Sequence, residues 1–458
     1  MATFTLPTFP GRYRDRPALP GDAVWWACCA AAALALGALS SLGPHRVWGV
    51  AAALGYTAAA VLAALGRSPR TAGAVAATGA VLLPLLLLLA VDRAQLEVDV
   101  VARSAGLLLS EGTPYAERPA APKDFNPYLP GMAAFGIPEA VAGPGPLTDP
   151  RLWMGAAFLG TLALALPAKS RRELPRWLAA CPLVALPLAV GGVDLPVAGL
   201  MCLGLARAGQ GRAGAAGLAL GLAAALKWTA WPAVPVALAL LATASGGDGR
   251  DGKRAAFGCD GGEGKRAVSV RDGHRPWSRV AFGGDGHRGS RAAFRGGGRR
   301  GDGGALRCAL VTLLTAAALV LPAALRDPAA FRTHVVDFPL GLTDAVSSAA
   351  SPLPGHLLAT QVPGGRTLAL LLLGVSALLL AGSLLVRPPA TTAAAAARLA
   401  LGLLLAIAFM PATRFGYLVH PLVLAVCALA WHAPVHPVHP LRVREFVRDL
   451  VRERKQAS

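Results

Sequence analysis

The chain has 458 residues, 54% of them hydrophobic and only 15% charged, where soluble domains run to about a quarter charged. That balance excludes an ordinary soluble domain. A net charge of +19 would point a soluble protein toward nucleic acid, but the Lys and Arg residues lie mainly between apolar blocks, where membrane topology accounts for them better, and no nucleic-acid partner is expected. Cys28, Cys29, Cys181, Cys202, Cys308 and Cys427 fall in or beside apolar blocks and Cys259 in a polar stretch, with no CxxC pair. Neither a disulfide framework nor a zinc site is indicated.

Arg12, Arg14 and Arg16 precede the first apolar block in the manner of a signal peptide. No small-residue cleavage site leads into a polar domain, so the block is predicted to be an anchor that stays. Apolar blocks follow at about 24–43, 47–65, 72–91, 151–167, 176–190, 194–208, 213–228, 229–243, 306–325, 366–386, 391–409 and 415–432. Most approach the roughly 20 residues that carry a helix across a hydrocarbon core. They are made of Ala, Leu and Gly without alternation, which argues against strands. The prediction is an all-α, polytopic transmembrane bundle of about 12 spans (10–14), with the pairs around Asp194 and Lys227 open to being broken helices.

With the N-terminus (1–23) inside, Arg67 and Arg70, then Lys169, Arg171, Arg172 and Arg176, then Arg207 and Arg212 all fall on the cytoplasmic side. The Gly/Arg-rich segment 245–304 and the tail 433–458 join them, and the long connections 92–150 and 326–365 face outward. Segment 245–304 holds too few apolar residues to bury and is expected to be a disordered loop, an expanded linker in preference to an Arg/Gly-type RNA binder. In the tail, residues 441–455 place apolar and basic residues at helical spacing, which suits either a helix on an anionic leaflet or a solvated end. HAPVHPVHP (432–440) spaces three histidines among prolines, a weak metal signal.

The polar and aromatic detail concentrates in the outward connections. Residues 92–150 read as a short helix with Glu97 and Asp99 near its start. The turn Gly112-Thr113-Pro114-Tyr115 and the stretch Asp124-Phe125-Asn126-Pro127-Tyr128-Leu129-Pro130 follow. So long and patterned a connection points to function. With GGVDLP (191–196), ALKWTAWP (225–232), FPLGLTDAVSSAASPLPG (338–355) and PATRFGYLVHP (411–421), this loop resembles the family 87 membrane glycosyltransferases of GT-C fold, which include mycobacterial mannosyltransferases using polyprenyl-phosphate mannose. The similarity runs over roughly 90–432 and rests on the order of the motifs. Two apolar blocks precede the loop where GT-C enzymes have one span, so 24–71 reads as an accessory hairpin before a core of 72–244 and 305–432.

The resemblance implies transfer of a hexose, mannose above all, from a polyprenyl-phosphate donor to an envelope glycolipid or glycan at the outer face of a plasma membrane. Such a transfer with inversion needs a carboxylate to take the acceptor proton and cations to stabilise the departing phosphate, through an oxocarbenium-like transition state. A single phosphate does not demand a metal, and no cofactor is expected. Glu97 and Asp99 are the candidate bases. Asp99 and Arg103 are i,i+4 neighbours that can pair, which leaves Glu97 the freer of the two; the alternative is that either caps the helix. Asp124 ranks third. Lys227, flanked by Trp228 and Trp231, and Arg414, in an apolar segment, are the candidate phosphate ligands, against snorkelling to the interface. Arg332 and His334 are possible helpers, with His334 expected at the surface. Asp194, Asn126, Tyr128 and Trp228 complete the candidate substrate-binding set. A transporter or lipid flippase, or an inactive scaffold of the same descent, are the alternatives; no internal repeat favours the transporter.

Overall fold

The computed structural model describes residues 20–168, 170–171, 174–244, 300–345 and 349–432. Lys169, Arg172, Cys259, the N-terminal arginines, the 433–458 tail with most of the histidine–proline run, and all of 245–304 except its last five residues lie outside the described residues. Among those described, every regular element is helical, apart from one isolated bridge between Ala350 and Thr413.

The principal helices are α1 (Pro20–Leu39), α2 (Gly43–Ala64), α3 (Pro69–Ala90, with a π turn at Thr78–Leu82), α4 (Leu96–Glu111), α5 (Pro150–Ala165), α6 (Leu174–Ala180), α7 (Pro182–Val190), α8 (Asp194–Gly209), α9 (Ala213–Leu226), α10 (Ala233–Ala244), α11 (Arg300–Arg326), α12 (Gly365–Val386), α13 (Thr392–Phe409) and α14 (Val419–His432), with short helices such as Ile137–Ala142, Pro328–Arg332 and Pro354–Gln361 in the connections. Their limits follow local chemistry. Ser68 caps α3, its hydroxyl accepting the Thr71 amide at 3.2 Å, and Pro69 follows where no amide is needed. Gly112, at φ 78°, ends α4 in the left-handed conformation that a glycine reaches without strain.

Among the described residues, seven helices are long and apolar enough to cross a membrane: Gly21–Leu39, Gly43–Ala64, Pro69–Ala90, Gly303–Arg326, Gly365–Val386, Thr392–Phe409 and Phe415–His432. The five predicted blocks between 151 and 243 fold instead as helices of 16 residues or fewer. The 176–190 block is split at Cys181-Pro182, and the chain breaks again at Gly191-Gly192-Val193 and at Lys227. Leu371, Leu378 and Leu379 of α12 stand 61%, 74% and 70% exposed, an apolar face suited to lipid and not to water. The chain is thus a helical membrane protein.

At the centre, α8 is buried on nearly every side, as a helix apolar all round should be, and packs on α5, α9 and α14. The α1–α2 hairpin joins α3, α6 and α7 in a second core. There Trp26 stacks between Tyr56 and Trp177, with centroids 6.0 and 5.2 Å away. Trp48 donates to the Ala80 carbonyl within the π turn (2.8 Å) and Tyr56 to the Ala180 carbonyl (2.7 Å). The α2–α3 crossing is close because glycines meet: a Cβ on Gly55 would lie 2.6 Å from the Gly79 Cα.

Gly55→Val is therefore expected to lower the thermal midpoint of the purified protein, through overpacking on the order of 1–3 kcal/mol. Gly374→Ala, where an added Cβ meets nothing within 4 Å, should leave the midpoint unchanged or raise it.

Candidate functional site

Four breaks in the chain come together at the Asp194 end of α8. The first is the turn into α4, where the Gln95 amide donates to the Val190 carbonyl at 3.0 Å, tying α4 to the break before α8. The second is that break itself, at Gly191–Val193. The third is Lys227, extended at φ −158° and ψ 148° between α9 and a short turn; the Leu129 amide donates to Leu226 O here (3.1 Å), docking the Tyr128 segment. The fourth is 411–418, before α14. Segment 349–351 pairs with it: the Thr413 amide donates to Ala349 O (3.0 Å) and the Ser351 amide to Thr413 O (2.9 Å), while the Phe415 amide donates to the Ser351 hydroxyl (3.0 Å). Segment 349–351 thus holds Arg414 in place.

The side chains at these breaks form one charged cluster. Glu97, in the first turn of α4, is ion-paired with Arg414. Lys227 Nζ lies 2.6 Å from Asp194 Oδ1, and His420 Nε2 is 3.5 Å from the same oxygen and 3.3 Å from the Thr229 hydroxyl. The Lys227 ammonium also sits 4.6 Å from the centre of the Tyr417 ring and 5.5 Å from that of Tyr128, both cation–π geometries. The charges of Glu97, Arg414 and Asp194 all act on Tyr128, and that of Arg414 acts on Lys227, so the two ion pairs share one site. The side chains of Lys227, Asp194 and Glu97 are 10–12% exposed and that of Arg414 is 32% exposed, so Arg414 is the most accessible of the four. Glu97 Oε2 is buried with no hydrogen-bond partner.

Of the predicted residues, the structure brings Glu97, Arg414, Tyr128, Lys227 and Asp194 together. It also corrects the ranking of the carboxylates by freedom: Glu97 is the more engaged of the two, because Arg414 reaches it from a segment 317 residues away. Asp99 stands on the exposed side of α4 among Asp92, Asp149, Arg103 and Arg151. Partial burial holds its carboxyl above the ordinary range, with the arginines opposing. Arg103 itself donates to the Lys123 carbonyl at 2.6 Å. Asp124 caps a turn, accepting the Ala121 and Ala120 amides at 2.8 and 3.2 Å, and those bonds hold its carboxyl below the usual range. Arg332 is exposed beside Asp337 (3.4 Å), and Trp228, 49% exposed, leans on Trp231.

His334 is buried, not at the surface. The Asn126 amide donates to its Nδ1 (2.9 Å), so Nε2 carries the proton and donates to Ala116 O (2.8 Å). The ring packs between Tyr115 and Phe125, each 5.4 Å away. Asn126 completes the brace, donating to the Ser104 hydroxyl and the Pro114 carbonyl and accepting the Tyr128 amide. These two residues lock the Tyr115–Tyr128 stretch to the helical turns around His334 behind Tyr128.

Tyr417, His420 and Thr229 belong to the cluster and were missed. Arg414, Tyr417 and His420 recur every third residue, a spacing that puts them on one face of a helical turn, and that polar stripe in an apolar segment was the available signal.

No family model, curated protein or solved structure matches the chain.

Asp194→Asn or Lys227→Met alone should destabilise the protein by roughly 3–5 kcal/mol, since each strands a buried charge. The double variant should recover much of that loss in a thermal melt. His334 has a second consequence. Burial lowers its pKa from the ordinary 6.5, so the unfolded state binds its proton first as pH falls. The contribution is complete above about 6.5 and is lost progressively below it, toward the lowered folded value. Amide protection factors over 113–128, the exchange rates taken relative to the intrinsic rate at each pH, should fall as pH drops from 7 to 5, and His334→Asn should remove that decline.

Proposed function

We propose that this protein is an integral membrane glycosyltransferase of GT-C architecture, with the break-lined end of the bundle facing outward. It would move a hexose, mannose first, from a polyprenyl-phosphate donor to a glycolipid or glycan acceptor. The observation that carries the reading is the meeting of a part-buried carboxylate in the first turn of α4, Glu97, with two cations, Arg414 and Lys227, and two tyrosines, in a membrane bundle. Charges this deep in an apolar protein are costly and are kept for function.

In this reading Glu97 is the base and Arg414 the first phosphate ligand. While paired with Arg414, Glu97 has its Oε1 occupied by the guanidinium. A donor phosphate that takes Arg414 displaces Glu97 and frees it to accept the acceptor hydroxyl's proton. Donor binding then arms the base. Lys227, oriented by Asp194 and the two rings, meets the charge that grows on the leaving phosphate. Tyr128 and Tyr417 offer apolar faces to a sugar ring.

Membranes supplied with labelled polyprenyl-phosphate mannose should yield a labelled glycolipid or glycan. Glu97→Gln should cut transfer by about 100-fold or more at equal protein level, while Asp99→Asn keeps most of it. Full activity in Glu97→Gln would sink the mechanism.

A transporter or flippase is the second reading. Charges at helix breaks, as at Gly191–Val193 and Lys227, also mark substrate sites in transporters. Under it the labelled lipid would change leaflet unaltered and no new product would form.

A further inference from the structure

We propose that His420 is the reserve counter-ion of the site: when Lys227 turns from Asp194 to a phosphate, His420 takes a proton and holds Asp194 in its place, so that a phosphate binds here together with one proton. This deepens the proposed function and rests on it for the phosphate alone; the linkage itself requires no sugar transfer.

Asp194 Oδ1 has two nitrogens within reach, Lys227 Nζ at 2.6 Å and His420 Nε2 at 3.5 Å. The His420 ring is fixed by its other nitrogen. Nδ1 lies 3.2 Å from the Tyr417 carbonyl, an oxygen that only accepts, so Nδ1 carries the proton and the neutral ring turns a lone pair outward from Nε2. The Thr229 hydroxyl, 3.3 Å away, donates to that lone pair. Both Nε2 distances exceed the roughly 2.9–3.0 Å of a settled hydrogen bond. The nitrogen therefore stands where two states suit it. With Lys227 on Asp194, the neutral ring accepts from Thr229. With Lys227 drawn away, a protonated Nε2 donates to Oδ1, and Thr229 has only to turn its hydrogen.

The members of this cluster differ in what they can do. Asp194 opens α8 on a short side chain, whereas Lys227 has a long, flexible stem and its ammonium already lies between the Tyr417 and Tyr128 rings. The lysine leaves and the carboxylate stays. Asp194 is 9% exposed, and a carboxylate stranded at such a place is strongly unfavourable. Imidazole is the side chain that gains charge most readily near neutrality. Asp194 from α8 and Lys227 from the break after α9 are the charges that act on the ring. Segment 411–418 adds Tyr417 and Arg414, the latter paired with Glu97, and α13, packed along α14, carries Arg398 toward its Thr392 end.

The charge balance closes on one proton. Glu97, Asp194, Arg414 and Lys227 sum to zero. A phosphodiester adds one negative charge and a proton on His420 restores zero, the total that a poorly polarisable bundle favours. The proton comes from water by way of Asp194, whose side chain keeps 12% of its surface open, once Lys227 has left that oxygen. It departs by the same path when the phosphate leaves and Lys227 returns.

The test uses the full-length protein in maltoside micelles, free of competing lipid phosphate. The probe is farnesyl methyl phosphate, a diester with one charge that does not titrate near neutrality. Calorimetry in buffers of different ionisation enthalpy should show uptake of close to one proton on binding, and affinity should fall about tenfold per pH unit over the range of that uptake. His420→Gln should bind without uptake and without the pH dependence. The Asp194→Asn, Lys227→Met double variant, which has no carboxylate to strand, should bind at Arg414 without uptake as well. Binding by the wild type with no proton taken up overturns the proposal. Uptake that persists in either variant overturns it too, as does failure of the wild type to bind the diester at any pH. Labelled transfer by the same preparation with no uptake removes the linkage and leaves the glycosyltransferase reading standing; proton-linked binding without transfer does the reverse.

Discussion

Two ion pairs, one buried and one part-buried, inside a bundle made largely of Ala, Leu and Gly set the terms for everything at the Asp194 end of this molecule. Stranding either member of the buried pair costs several kcal/mol, and each charge has a counter-charge from a distant segment: Glu97 with Arg414 and Asp194 with Lys227. Four segments must then end or break their helices at one level. Each break frees backbone groups that cannot be left bare in lipid. The structure pairs them locally, Gln95 with Val190, Leu129 with Leu226 and Thr413 with Ala349, so the hydrogen bonds that satisfy the breaks also fix the charges.

The long connections around Tyr128 and His334 are the second consequence. A charged cluster open to bulk water would lose most of its electrostatic force, and the Tyr128 ring, 6% exposed, helps to cover it. What keeps that ring in place is remote: Asn126 and His334 staple the Tyr115–Tyr128 stretch to residues 328–338, and Phe125 stacks on Phe338 at 4.3 Å. Both residues look chemically able in sequence, and both spend that ability on backbone groups.

Much of this was legible in the chain. Hydropathy gives the long helices, and the i,i+2 placement of Glu97 and Asp99 at the start of a helix ended by Gly112 is realised as read. Lys227 and Arg414 stand out because charge inside an apolar segment is rare. The failures share a cause. Partners chosen across 317 or 208 residues, as Arg414 is for Glu97 and His334 for Asn126, leave no local trace, so Glu97 read as free and His334 as exposed. The middle blocks read as spans because hydropathy averages over a proline or glycine break, while the backbone at Cys181–Pro182 and Gly191–Gly192 does not.

The charge count of the cluster bears on which chemistry it suits. Glu97, Asp194, Arg414 and Lys227 sum to zero, so an anionic ligand entering here must take a cation from a carboxylate already holding it. In the proposed transfer from a phosphate to a hydroxyl, a donor on Arg414 would leave Glu97 unpaired in a dehydrated place, and the proton released by the acceptor hydroxyl would reach it in the same step. The leaving phosphate would gain the charge that Glu97 gives up, Arg414 would exchange one anion for another, and the site's total charge would be conserved through the proposed step.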